Sequence, residues 1–347
     1  MGAGVRVSKI VIFLWLAAVA PGLPRATGST GTAELKAKAE AGDAKAQVAL
    51  GRAYENGDGV PQNDNLAAVW YRKAAEQGDA EAQNAVGILY RLGRGGPKDH
   101  DEAVRWYRRA AKQGNANAMF NVGAAYYNAE GAPYDKIVAF VWFSLAGDVD
   151  PAIAEAALKP LLPELRPGWI VEGQLKVGDM YEKGDEVPQN MAAAAKWYRK
   201  GADAGHPYGM LKLYHMYAAG QGVARDDIQA AEWFQKAFKS GYGPALFEHA
   251  NRLYTGSGGL QPNLREASKW YRKAACAGFF PAMFNLGLMY ARGEGVKQDN
   301  VTAYAWLWMA HANGVKEAKT AVDMLAAKLS PKEIKRAQGK MHGISRC

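Results

Sequence analysis

Histidines, cysteines and a recurring cation-plus-aromatic cluster are the residues of this sequence that could do chemistry. His206 and His215 are the closest pair of histidines, and two further ligands beside them would make a zinc site. Nine residues and Pro207 separate the two, no such ligands follow, and the remaining histidines stand singly at 100, 249, 311 and 342. No H-E-x-x-H, G-x-S-x-G or S-x-x-K motif occurs. The sequence therefore indicates no metal ligand, cofactor or catalytic residue, and the expectation is a protein that is not an enzyme. Cys276 and Cys347 are the only cysteines, too few for a disulfide framework, and a single bridge within or between molecules stays open.

The cation-plus-aromatic cluster is "WYRKAA", Trp70 to Ala75, which in isolation reads as a nucleic-acid contact. It returns as "WYRRAA" from Trp106, "WFSLAG" from Trp142, "WYRKGA" from Trp197, "WFQKAF" from Trp233, "WYRKAA" from Trp270 and "WLWMAH" from Trp306, at spacings of 36, 36, 55, 36, 37 and 36 residues. A fixed period in this range is the signature of stacked helical repeats, so the cluster reads as structure. Charge agrees. The formal +9 falls to +6 without Arg6, Lys9 and Arg25, and no run of five like charges occurs, so nucleic acid is not implied.

Two kinds of helix must position that cluster. Seven residues before each Trp stands Asn63, Asp99, Asp135, Asn190, Asp226, Asn263 or Asp299, the residue types that cap a helix by accepting a first-turn amide. Ala67, Trp70, Tyr71 and Ala74 then share one helical face, which admits a neighbouring helix closely while Trp fills the gap. The remaining residues of the cluster, Arg72 and Lys73, are expected to face solvent. Upstream, "AEAQNAVGILY" (Ala80 to Tyr90) and "PAMFNLGLMY" (Pro281 to Tyr290) carry the same period and make a first helix in each repeat. It ends on Tyr54, Tyr90, Tyr126, Tyr181, Tyr217 or Tyr290, with Leu253 in that role where one residue is inserted before Asn263. Loops such as "NGDGVP" (Asn56 to Pro61) supply the glycine that ends a helix and the proline that delays the next.

These features resemble the Sel1-like repeat family, relatives of the tetratricopeptide repeats with a longer inter-helix loop. The resemblance rests on an "A-x-x-x-L-G-x-x-Y" first helix, a "G-x-G-V-P" loop and an "A-x-x-W-Y-x-K-A-A-x-x-G" second helix, in order in seven repeats between Ala33 and Gly314. It departs at Tyr214 and Ala250, where the family has Gly, at Ala129 for the first loop Gly of the third repeat, and at "WLWMAH". The resemblance implies an all-α fold, an α/α superhelix (solenoid) of antiparallel helix pairs. Some cysteine-rich relatives are associated with β-lactam binding, and this chain lacks their paired cysteines.

The 55-residue gap is explained by an internal copy. A shift of 164 residues places Ala139, Trp142, Ala157, Leu161, Leu165, Pro167 and Ile170 on Ala303, Trp306, Ala321, Leu325, Leu329, Pro331 and Ile334. Solenoids need atypical end segments to cover the last hydrophobic face, and "LSPKEIKRAQ" (Leu329 to Gln338) suits one. The expectation is two fused arrays, 33–170 and 171–340, each with a cap, followed by a tail at 341–347. One superhelix with a local kink is the alternative. Ahead of them, residues 1–28 carry Arg6 and Lys9, the apolar run Ile10 to Ala20, and small residues, the order of a secretory signal. Cleavage after Ala20 or near Gly28, or retention as an anchor, stays open. A bacterial periplasmic location is expected, with secretion or anchoring as alternatives.

What the resemblance implies for function is a protein or peptide partner on the concave face lined by the first helices. Projecting the tetratricopeptide facing positions selects Arg52, Asn84, Arg91, Phe120, Tyr127, Asp179, Glu182, His215, Asn251, Tyr254 and Phe284. These vary between repeats while the packing positions recur. Aromatics mixed with both charge signs suit a protein or peptide more than a polyanion. A scaffold or adaptor of the cell envelope is the leading expectation, and a module binding cell-wall glycan or peptide the alternative.

Overall fold

The computed structural model describes residues 29–344, and among them every regular element is helical. The secretory-signal reading falls on residues outside those described, as does Cys347. The chain divides into two compact units, Met1–Ala204 and Gly205–Cys347.

The first unit holds α1 (Ser29–Glu40), α2 (Ala44–Asn56), α3 (Asp64–Glu76), α4 (Ala80–Leu92), α5 (His100–Lys112), α6 (Ala116–Asn128), α7 (Lys136–Val149), α8 (Pro151–Leu161), a 3₁₀ turn (Leu162–Glu164), α9 (Pro167–Lys183) and α10 (Met191–Asp203). Repeats pair α2 with α3, α4 with α5, α6 with α7 and α9 with α10; successive helices from α1 to α8 pack on one another, while α9 packs back on α7. The second unit holds α11 (Pro207–Ala219), α12 (Asp227–Lys239), α13 (Gly243–Thr255), α14 (Leu264–Cys276), α15 (Phe280–Arg292), α16 (Asn300–Ala312), α17 (Ala318–Ala326) and α18 (Pro331–Ile344). Its pairs are α11 with α12, α13 with α14 and α15 with α16. Each unit is thus a solenoid of antiparallel helix pairs.

Local chemistry fixes where these helices begin and end. All seven expected capping residues accept backbone amides two or three residues on, at 2.8–3.0 Å. Each also donates its own amide to the carbonyl that ends the first helix, that of Tyr54, Tyr90, Tyr126, Tyr181, Tyr217 or Tyr290. In the sixth repeat Asn263 donates to Leu253 at 2.7 Å, so the inserted residue is absorbed in the loop and the register survives.

The small-residue stripe is buried, and so is the repeated Trp of every repeat but the sixth, where Trp270 is half-exposed against Phe238 and His249. Each such Trp removes roughly 150–250 Å² from water, worth about 4–6 kcal/mol as an upper bound. The caps are built alike. Phe140, Phe143, Leu161 and Leu165 form a core with Leu158 and Ile170 against it. Their counterparts 164 residues on, Tyr304, Leu307, Leu325, Leu329, Val322 and Ile334, form another.

Two boundaries differ from expectation. Position 170/171 falls inside α9, whose first turn closes the cap through Ile170 and whose last turns serve as the first helix of the next repeat. One continuous helix does both jobs, and the compact units divide after Ala204. The expected tail begins inside α18, where Met341 is buried beside Val301 and Leu325.

Candidate functional site

The "WYRKAA" cluster divides its labour. Lys73, Arg109, Lys200, Lys236 and Lys273 lie over the ring of the Trp three residues earlier, at 3.4–4.3 Å. Arg72 is exposed as expected, and it donates to the Tyr90 hydroxyl at 3.1 Å, as Arg108 does to Tyr126 (2.7 Å) and Arg272 to Tyr290 (2.5 Å). These bonds tie each repeat to the next.

The Tyr of the cluster reaches further. Its ring fills a notch left by a first-helix glycine; at Gly87 an added Cβ would stand 2.5 Å from the Tyr107 ring. The hydroxyl then emerges on the first-helix side. Tyr71 donates to Glu55 (2.9 Å), Tyr198 to Asp179 (2.7 Å) and Glu182 (2.6 Å), and Tyr271 to Asn251 (2.5 Å). Desolvation and the neighbouring Glu55 carboxylate push the Tyr71 hydroxyl well above the usual phenol range.

Most residues selected from the sequence are engaged in such ties. Arg52 pairs with Glu81. Asn84 accepts from Asn121 at 2.9 Å, Asp179, Glu182 and Asn251 accept tyrosine hydroxyls as above, and Tyr254 donates to Glu294 at 2.7 Å. His215 lies 3.4 Å from Glu248 and against the Tyr214 ring, while His206 caps α11, so the two histidines do not converge. Phe284 is half-buried between the cores of the last repeat and its cap. Tyr127 is a correction. It is only 9 % exposed, donates to Glu164 at 3.2 Å and packs with Leu161 and Leu165, because the cap folds over the face on which the projection placed it.

Two selected residues do come together at an opening. Arg91 and Phe120 line a cleft between α4, α5 and α6 with a cavity of about 20 Å³, joined by His100, Tyr107, Asn121 and Glu130. Arg91 Nε, His100 Nδ1 and the Tyr107 hydroxyl are buried there without hydrogen-bond partners. Burial raises the Tyr107 hydroxyl to about 12, against the lowering effect of the Arg91 guanidinium beside it. His100 and Tyr107 were not selected from the sequence. The signal was present, since the residue after the first-helix Tyr is Glu55, Glu182 and, reversed in charge, Arg91.

A second, open cleft of about 320 Å³ lies where the cap interrupts the stack, lined by Asp148, Tyr181, Lys196 and Trp197. There the Trp197 indole donates to Asp148 at 2.5 Å. Among the described residues no group of three or more His, Cys, Asp or Glu is placed to hold a metal ion.

Paired helices locked by a repeated Trp wedge define a helical repeat scaffold, a class that typically mediates protein–protein interaction and is typically non-catalytic. The Sel1 repeat matches at residues 44–79, 80–115, 116–149, 171–206, 208–242, 243–279 and 281–312. The chain belongs to the Sel1 repeat family. Among solved structures it is similar to a Sel1 repeat protein from Oxalobacter formigenes (27 % identity, 88 % of this chain and 83 % of that one, TM-score 0.44). It is also similar to a protective antigen present in uropathogenic Escherichia coli strains displaying an SLR fold (26 % identity, 90 % and 94 %, TM-score 0.33). No curated protein matches the chain.

Proposed function

We propose that this protein is an exported, non-catalytic scaffold of the bacterial cell envelope that holds a protein or peptide partner on the first-helix face of its repeats. The observation that carries the reading is the cleft between α4, α5 and α6. There the buried polar atoms Arg91 Nε, His100 Nδ1 and the Tyr107 hydroxyl line one opening, unmet, beside a half-buried Phe120. Groups left in that state are costly in a folded chain and are met by a ligand or by water. Export rests on the leader-like order of residues 1–28, and the periplasm on the same segment.

Photo-crosslinking in cells tests the partner reading. Crosslinkers replacing Phe120 and Asn128, at the cleft, are expected to yield a discrete protein adduct, and one at Val69, exposed on a second helix, none. Equal labelling from all three positions overturns the reading. Adducts to glycan strands, with co-sedimentation of the purified protein on peptidoglycan, would favour a cell-wall module instead. Recovery of the protein in the cytoplasmic fraction would remove the export part.

A further inference from the structure

We propose that the cleft between α4, α5 and α6 is a carboxylate-binding site that takes an acidic side chain or the chain terminus of the partner peptide. The inference rests on the partner reading above and supplies the chemistry that reading lacks.

Tyr71, Tyr198 and Tyr271 each send a hydroxyl to an oxygen acceptor on the first-helix side, namely Glu55, the pair Asp179 and Glu182, and Asn251. Tyr107 sits in the same slot, only 1 % exposed, but its hydroxyl reaches no such acceptor and has the Arg91 guanidinium beside it instead. The position that gives Glu55 in the first repeat and Glu182 in the fourth gives Arg91 here. A donor has replaced the acceptor. Two donors, the Tyr107 hydroxyl and Arg91 Nε–H, therefore face one space, with His100 Nδ1 as a third unmet atom.

Charge separates a carboxylate from other acceptors. Arg52 on the preceding repeat and Arg94 three residues beyond Arg91 are neutralised by Glu81 and by Glu55 with Asp64, whereas Arg91 is in no ion pair among the described residues. Glu130 lines the cleft yet makes no hydrogen bond to the Tyr107 hydroxyl or to Arg91 Nε, so it leaves those two donors without an acceptor. Size separates a carboxylate from phosphate or sulfate. A cavity of about 20 Å³ admits one water-sized group. A flat carboxylate can insert one oxygen and leave the other at the guanidinium edge, while a tetrahedral oxyanion presents a bulkier head. Charge-assisted bonds to a guanidinium and a buried hydroxyl are the stronger kind.

The test uses three random hexapeptide pools over the immobilised full-length protein. One carries Asp and Glu with amidated C termini, one lacks Asp and Glu but keeps free C termini, and one lacks both. Retention of one acid-bearing pool about tenfold above the neutral pool is expected. Which pool is retained assigns the carboxylate to a side chain or a terminus. Arg91→Glu, which installs the residue of the first and fourth repeats, is expected to erase the preference and to melt no lower than wild type. Tyr107→Phe is expected to weaken it.

Equal retention of all pools, the result for a cavity that holds only water, overturns the proposal. So does an acid preference unchanged in Arg91→Glu, or a loss of melting temperature in that variant. Strong retention of the neutral pool that depends on Phe120 sinks the carboxylate and leaves the partner reading standing. Loss of the cleft crosslinks described above sinks the partner reading itself.

Discussion

Ala129 holds a left-handed backbone conformation, φ 57° and ψ 42°, at the end of α6, and it is the sole non-glycine residue with positive φ among those described. Gly57, Gly93, Gly184, Gly220, Gly256 and Gly293 occupy that place in the other repeats. An L-residue there costs roughly 1–2 kcal/mol, part of which a glycine would return as extra freedom of the unfolded chain. Ala129→Gly is accordingly expected to stabilise the protein by about 0.5–1 kcal/mol, seen as a higher urea midpoint with unchanged slope. The alanine stood out in the sequence as a break in the loop pattern, and the seven capping residues were equally plain, because both follow from one residue's own backbone chemistry. The exposure of Arg72 was legible, but its partner was not. Its partner Tyr90 lies 18 positions on, and only the packed repeat brings the two within 3.1 Å. The same reason hid His100, and for Tyr107 the sequence carried only an indirect sign, Arg91 standing where Glu55 and Glu182 meet the equivalent tyrosines.

At the scale of the helix, ends and joints decide the outcome. Asp299 caps α16 and lies 3.4 Å from Lys340 of the closing helix α18, so one carboxylate serves both a helix start and the seating of the cap. Burial alone would raise its pKa, but hydrogen bonds from the Thr302 side chain and amide, with the Lys340 ammonium, outweigh that and hold it at about 2. A carboxylate depressed on folding contributes stability that is complete above its unfolded value of 3.8 and is lost as pH falls toward about 2. Asp299→Ala should cost about 1 kcal/mol near neutral pH. The gap between variant and wild type should close on acidification through that window, as read from denaturant unfolding at each pH. The cap itself was legible from the internal copy. Its reach over Tyr127 was not, since the projection took its facing positions from an uncapped repeat, and here the chain's own segment lies on them.

For the whole molecule, the repeat count and helical class were legible because period survives any uncertainty about packing. The passage from cap to next repeat was not, because α9 hides that joint inside an unbroken helix, and the compact units divide later, after Ala204. Within each compact unit helices pack chiefly on their chain neighbours, so stability is a sum of local interfaces. Leu161, 1 % exposed at the centre of the first cap, tests that arithmetic. Leu161→Ala is expected to cost about 2–5 kcal/mol. Hydrogen exchange should quicken most in α6 to α9 and fade toward α1 and α2. Uniform loss across the first unit would instead mean one indivisible cooperative block. The continuity of α9 also sets a rule for anyone wishing to lengthen the protein. Additional 36-residue modules belong upstream of Lys136, as second copies of residues 80–115. Material spliced between Ile170 and Gln174 would cut the one rod that closes one stack while opening the next.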